Sequence, residues 1–138
     1  MIYLLDTNAV SDRMGGHSRI VSRLAAMAPN DRAVICPIVR GEILHGIERL
    51  PAGKRRSAIV ENAKKAFDTL PCEPLLEASG DIYARLRSDC ESKGVSAHAN
   101  DLWITAVALH LGATLVTRDN DLSRMAGIQV EDWTLESR

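Results

Sequence analysis

Four acidic residues stand where a carboxylate could do chemistry: Asp6, Glu42, Asp101 and Asp119. Asp6 abruptly ends an uninterrupted apolar run, Ile2 to Leu5, and Asp119 closely follows a second such run that ends near Val116. Glu42 falls one and a half turns into a helix opened by Pro37. Asp101 falls in the first turn of another helix, where a carboxylate gains from the positive end of the helix dipole. Acids drawn from such distant segments repel one another unless a counter-charge joins them. A hard divalent cation meets that need, because Mg²⁺ and Mn²⁺ take oxygen ligands and retain several waters. Such an ion polarises a phosphoryl oxygen, acidifies a bound water and stabilises the leaving oxygen, so no nucleophilic side chain is required. Asp6, Asp101 and Asp119 are the expected metal ligands, with Mg²⁺ expected and Mn²⁺ as the alternative. Each acid also has a plain structural explanation: helix N-cap for Asp6, surface for Glu42, first-turn dipole partner for Asp101, turn residue for Asp119. Only their joint placement favours a site.

The elements that must position these acids follow from the apolar pattern. Runs at Ile2–Leu5, Ala33–Cys36 and Ala113–Val116 read as short buried strands. Helical periodicity is expected over Ser18–Met27, Pro37–Leu50, Lys54–Leu70, Glu77–Lys93 and Ala99–Leu111. Pro37 suits a first helical turn, and Gly94 and Gly112 suit helix ends. Gly15-Gly16 permits a turn between Met14 and His17. Strands alternating with helices imply an α/β fold with a mainly parallel sheet, in which ligands bind outside the carboxyl ends of the strands. Residues 1–138 are expected to form a single domain, since no linker, repeat or low-complexity stretch breaks the chain.

Composition narrows the function classes. Hydrophobic residues make up 46% and charged residues 25%, as in a soluble globular protein. Aromatics at 4% are too few for an evident single-strand stacking platform. The net charge of −1 conceals an uneven distribution: Arg13 to Arg56 is strongly basic, whereas the segment after Asp119 is acidic. A basic rim around an acidic, metal-filled centre suits a polyanionic substrate. Cys36, Cys72 and Cys90 lack metal-ligand spacing and read as reduced, mostly buried thiols. The opening MIYLLDTN is too short for a signal peptide or membrane span, which makes a cytoplasmic location the expectation. Neither a Gly-rich phosphate loop nor a nucleophile–base–orienter set can be placed.

Five motifs together resemble the PIN-domain ribonucleases, and among these most closely the VapC-type toxins of bacterial toxin–antitoxin modules. They are LLDTN at 4–8, RGEILHGIERL at 40–50, NDLWITAVAL at 100–109, LVTRDNDL at 115–122 and VEDW at 130–133. The resemblance implies an α/β/α sandwich around a short parallel sheet and a Mg²⁺- or Mn²⁺-dependent endoribonuclease. It places Asp6, Glu42, Asp101 and Asp119 in the family's acidic positions, with Thr7, Asn8 and Thr117 as supporting residues. It further implies an RNA substrate, a homodimer and a cognate antitoxin, a small DNA-binding protein whose peptide wraps the toxin. The alternating apolar and basic helices between Ser18 and Leu70 are where a groove for that peptide is expected. Some relatives carry an extra acid before the Asp101 position, but here the stretch is Ser96-Ala97-His98-Ala99-Asn100, which leaves the number of metals open.

Other residues rank lower. Asp121, expected to begin a short helix, and Arg118, beside Asp119, are second-rank members of the site. His45, one turn beyond Glu42, reads as a surface or core histidine before a phosphate contact. Trp103 lies roughly 200° around its helix from Asp101, which points to helix packing and not base stacking. Trp133 is expected to cap the core. Two other classes compete with a nuclease. A catalytically silent PIN-fold subunit would act through a partner protein or nucleic acid, and the intact acid set argues against it. A receiver domain or DxD phosphatase would need an acidic pair or a second Asp where Asn8 stands.

Overall fold

A computed structural model describes residues 1–122, 125 and 127–136. The chain runs β1 (Ile2–Leu5), α1 (Thr7–Met14), α2 (Ser18–Ala25), β2 (Arg32–Val34), α3 (Pro37–Glu48), α4 (Lys54–Thr69), α5 (Glu77–Ser92), α6 (Ala99–Leu111), β3 (Thr114–Val116) and β4 (Gln129–Glu131). The strands form one sheet in the order β2-β1-β3-β4, and every pairing is parallel. The expected strands and helices are present, with ends that coincide or shift by one or two residues. The expected turn at Gly15-Gly16 joins α1 to α2, with Gly16 at φ 78°. Gly112 closes α6 in the left-handed conformation, φ 63°, which an L side chain rarely adopts. The short helix expected from Asp121 falls on residues that lie partly outside the described ones.

Sheet order decides where a site can form. From β1 the chain crosses to β2 on one side, then returns to place β3 on the other side of β1. The chain therefore goes on from neighbouring β1 and β3 to strands on opposite sides, the switch of order at whose carboxyl ends such sheets open a crevice. The residues at that edge are Asp6 and the segment Thr117–Asp119.

Burial of the strands holds this edge in place. Leu4, Leu5, Val34, Leu115 and Val116 are all buried, which is why these strands read as continuous apolar runs. In α6, Leu102 and every residue from Ile104 to Ala108 are buried, so this helix is apolar on nearly all sides and sits at the centre. It packs along α5, where Trp103 stacks on Tyr83 with ring centroids 4.0 Å apart. Trp133 is buried against Tyr3 and closes the core, as expected. Cys36 and Cys90 are buried and Cys72 is exposed, all three as free thiols. No helix among the described residues is long and apolar enough to cross a membrane.

Candidate active site

The end of β1 is pinned by Asp6. Its backbone N–H donates to Val116 O at 3.0 Å, so the strand pairing continues into the site residue itself. Its side chain then caps α1, with Oδ1 accepting from the Ala9 N–H at 2.8 Å. The second oxygen, Oδ2, accepts from the Thr117 hydroxyl at the end of β3. Only 4% of Asp6 is exposed. Burial raises its pKa, the Thr117 and Ala9 hydrogen bonds oppose that rise, and the charges of Asp101 and Asp119 add to it.

Thr117 connects two of the acids. While its hydroxyl donates to Asp6, the same oxygen accepts the Asp119 N–H at 3.0 Å. Asp119 is half-buried, and its Oδ1 accepts from the Asp121 N–H at 2.9 Å, an Asx turn that shapes the loop after β3. Glu42 arrives from α3, where Oε1 accepts from the Thr7 hydroxyl at 2.5 Å. Asp101 arrives from the first turn of α6, and its pKa is also raised. Burial is the main cause, followed by Asp119 and Glu42, with the His98 charge pulling the other way.

The four acids thus share one electrostatic neighbourhood. Asp6 feels Asp101 and Asp119, while Asp101 feels Asp119, Glu42 and, more weakly, Asp121. None of the four forms a salt bridge with a described residue. Nor do any three carboxylate, imidazole or thiol groups among the described residues already converge as a finished metal cage. The donor chemistry nevertheless fits a hard cation: all oxygen, partly desolvated, mutually repelling and oriented by neutral hydroxyl and amide donors.

The remaining sequence-predicted residues fall around this centre. Thr7 and Thr117 bond directly to acids, whereas Asn8 is exposed on the first turn of α1. Arg118 turns to α1, where its Nε donates to Asp12 Oδ2 at 3.1 Å. Sequence reasoning missed that Asp12 partner, which helical spacing from Asn8 could have flagged. It also passed over His98, the N-cap of α6, whose Nδ1 accepts from the Asn100 N–H at 3.3 Å. His45 is exposed.

A family model described as the PIN domain matches residues 3–128. The chain belongs to the PIN domain family. Among curated relatives, it is 29% identical to "Ribonuclease VapC1" of Haemophilus influenzae, over 97% of this chain and 99% of the relative. It is 31% identical to "Plasmid stability protein StbB" of Pseudomonas syringae pv. tomato, over 92% and 94% of the two chains. A solved structure of VapBC2 from Rickettsia felis bound to a DNA fragment from their promoter superimposes with a TM-score of 0.88 at 27% identity, covering 96% of this chain and 99% of that one. The all-parallel sheet of four strands with six helices among the described residues is thus the PIN fold that the five motifs led us to expect.

Proposed function

We propose that this PIN domain is a metal-dependent endoribonuclease, the toxin of a toxin–antitoxin pair, acting in the cytoplasm. The observation that carries the reading is the acid set at the β1/β3 crevice, which neutral donors orient and which no salt bridge among the described residues reaches. Asp6, Asp101 and Asp119 are the proposed ligands of Mg²⁺ or Mn²⁺. When bound, such an ion supplies neutralisation of phosphate charge and a more acidic water. The chain's own residues do the positioning. The Ala9 N–H and Thr117 hydroxyl fix both oxygens of Asp6, and Thr117 simultaneously sets the loop that presents Asp119. Thr7 occupies Oε1 of Glu42, which leaves Oε2 to accept a proton from water attacking a phosphodiester. Thr7, Asn8 and Thr117 are supporting residues, with Asp121 and Arg118 second-rank.

We assign the partners on the same basis. RNA is the substrate, in line with the ribonuclease name of the relative above. A cognate antitoxin is supported by the neighbour solved as VapBC2 on promoter DNA, and a homodimer is the proposed assembly. A cleft of about 620 Å³ lies between α2 and the end of α4, with Val21, Leu24, Met27, Leu70 and Pro71 in its wall and Arg13 at its rim. Its apolar lining and basic edge suit an amphipathic segment of that antitoxin.

Purified protein incubated with total RNA, in Mg²⁺ or Mn²⁺ against EDTA and beside Asp6→Asn, tests the reading. Metal-dependent cuts that disappear in the variant support it. RNA binding without cutting under every metal condition, with structured RNAs included, would return the chain to the class of silent binding subunits.

A further inference from the structure

A second cleft, about 590 Å³, opens between the carboxyl end of α5 and the amino end of α6. Its volume falls within the range of roughly 300–1,000 Å³ found for small-ligand sites. Val95 and Leu102 contribute apolar surface, and Tyr83 contributes an aromatic wall. That wall is held rigid: the Tyr83 ring stacks on Trp103, and its hydroxyl accepts from Arg87 Nη1 at 3.0 Å. The rim carries Arg87, Glu91 and His98, with Arg87 Nε held on Glu91 at 3.1 Å. One side of the cleft therefore offers flat apolar surface, and the other offers hydrogen-bond donors and acceptors of both signs.

The cleft lies at the amino end of α6, the same helix end whose first turn carries Asp101. His98 lines it and also caps α6, the helix whose first turn carries Asp101, and the His98 charge is felt at that carboxyl. A strand with its phosphate at the acids has a neighbouring nucleotide to place, and the amino end of α6 brings this mouth beside it. A paired rim of Arg87 and Glu91 offers no net charge to a phosphate but suits the polar edge of a heteroaromatic ring. Single-stranded RNA is read in this manner, by bases splayed out onto aromatic and apolar surface and bonded along their edges.

We infer that the α5–α6 cleft is a nucleobase subsite, which receives an unpaired base of the RNA next to the cut and makes Val95 and His98 determinants of sequence preference. This inference rests on the ribonuclease reading and deepens it.

The test uses short unstructured RNAs spanning a mapped cut, with each flanking base varied in turn and with an abasic residue at each position. Two variants are compared with the wild-type chain. Val95→Trp fills the cleft from an exposed position, and His98→Asn removes the imidazole while keeping an N-cap residue. Base preference at one flanking position is expected to fall on the order of tenfold in both variants, the scale of one stacked base, while Val95→Trp leaves cleavage of the abasic RNA at that position unchanged. Unaltered preference overturns the inference, as does an equal slowing of every substrate, which would mark a structural role. A change in oligomeric state in Val95→Trp would also overturn it, by assigning the cleft to a second copy of the chain. A binding arm separates this inference from the parent reading. Metal-free Asp6→Asn protein should quench a fluorescent aminopurine placed at the preferred position, and addition of Val95→Trp should abolish the quenching. Wild-type protein that cuts no RNA removes the ribonuclease reading, whereas cutting with no cleft-dependent preference or quenching removes only the subsite.

Discussion

Acidic residues meet different partners at two places in this fold. On the flank formed by α2 and the carboxyl-terminal segment, acids face arginines. Arg23 pairs with Glu131 at 2.8 Å and lies over the Trp133 ring, and Arg19 pairs with Glu136 at 3.1 Å. At the β1/β3 crevice, Asp6 and Glu42 accept from hydroxyls and an amide, and no described salt bridge reaches any of the four acids. The two regions are adjacent, since the Thr117 N–H at the crevice donates to Glu131 O on β4 at 3.0 Å. Arginine satisfies an acid and neutralises it, so the pair serves as a clamp. A hydroxyl orients a carboxylate without neutralising it, so the charge remains available to a cation that comes and goes.

The strongest way to break this contrast is Asp6→Asn. The amide keeps the α1 cap but removes the charge, so cleavage should fall by more than about 100-fold, beyond the usual cost of losing a supporting partner. Without metal the same variant should melt at a higher temperature than wild type, because one of the mutually repelling charges is gone. Rates and melts in EDTA read both effects, and undiminished cutting would remove Asp6 from the mechanism.

Thr117→Ala should cost less, about 10- to 100-fold in rate, because it frees Asp6 and loosens the Asp119 loop without removing an acid. Thr117→Ser, which restores the hydroxyl, should recover most of that loss. If Ala and Ser behave alike, the hydroxyl does not position the acids.

Acid–base linkage sharpens the contrast further. Asp6 and Asp101 both have raised pKa values in the fold, mainly through burial. Each therefore binds a proton more readily when folded than when unfolded. Their stabilising contribution is full below the ordinary carboxylate range and is lost as pH rises through the raised folded values. Metal-free protein should accordingly lose some stability from mildly acidic to neutral pH, and Asp6→Asn should flatten that slope. Cleavage should move in the opposite direction, weakening on acidification as protons compete with metal for the same oxygens. Denaturant midpoints and rates across pH check both signs.

The smallest effect is expected on the clamped flank. Arg23 and Glu131 side chains are 41% and 38% exposed, so solvent screens the pair and Arg23→Ala should cost about 1 kcal/mol or less. Loss of the Arg23–Trp133 contact is part of that small cost. Melting should fall by a few degrees while cleavage per folded molecule is unchanged. A large loss of cleavage would show that the flank and the crevice are coupled through β3 and β4.

Much of this arrangement was legible in residue order. Continuous apolar runs marked β1 and β3, and the abrupt Asp6 after Leu5 marked a strand end. Pro37 and Gly112 marked helix ends through backbone restrictions that act locally. β4 was not legible as a strand, because Gln129–Glu131, one exposed and two half-buried residues, carry no apolar run and gain their conformation from pairing with β3. For three of the acids the plain structural roles are present alongside the proposed chemical ones, whereas Glu42, expected at the surface, is half-buried against Thr7. Asp6 is an N-cap, Asp101 is a first-turn acid and Asp119 organises a turn, so a local role did not argue against membership of the site.

The sequence by itself determined the residue types, the local starts and stops of the main elements, and the candidate acids, since caps, breakers and apolar periodicity act over a few neighbouring residues. Tertiary structure alone decided that Thr117 serves Asp6 across 111 residues of chain, that Thr7 orients Glu42, and that Arg118 turns to Asp12. Those pairings depend on the β2-β1-β3-β4 order, which brings the ends of β1 and β3 side by side. Strand order is set by how the whole core packs, and no local pattern in the chain encodes it.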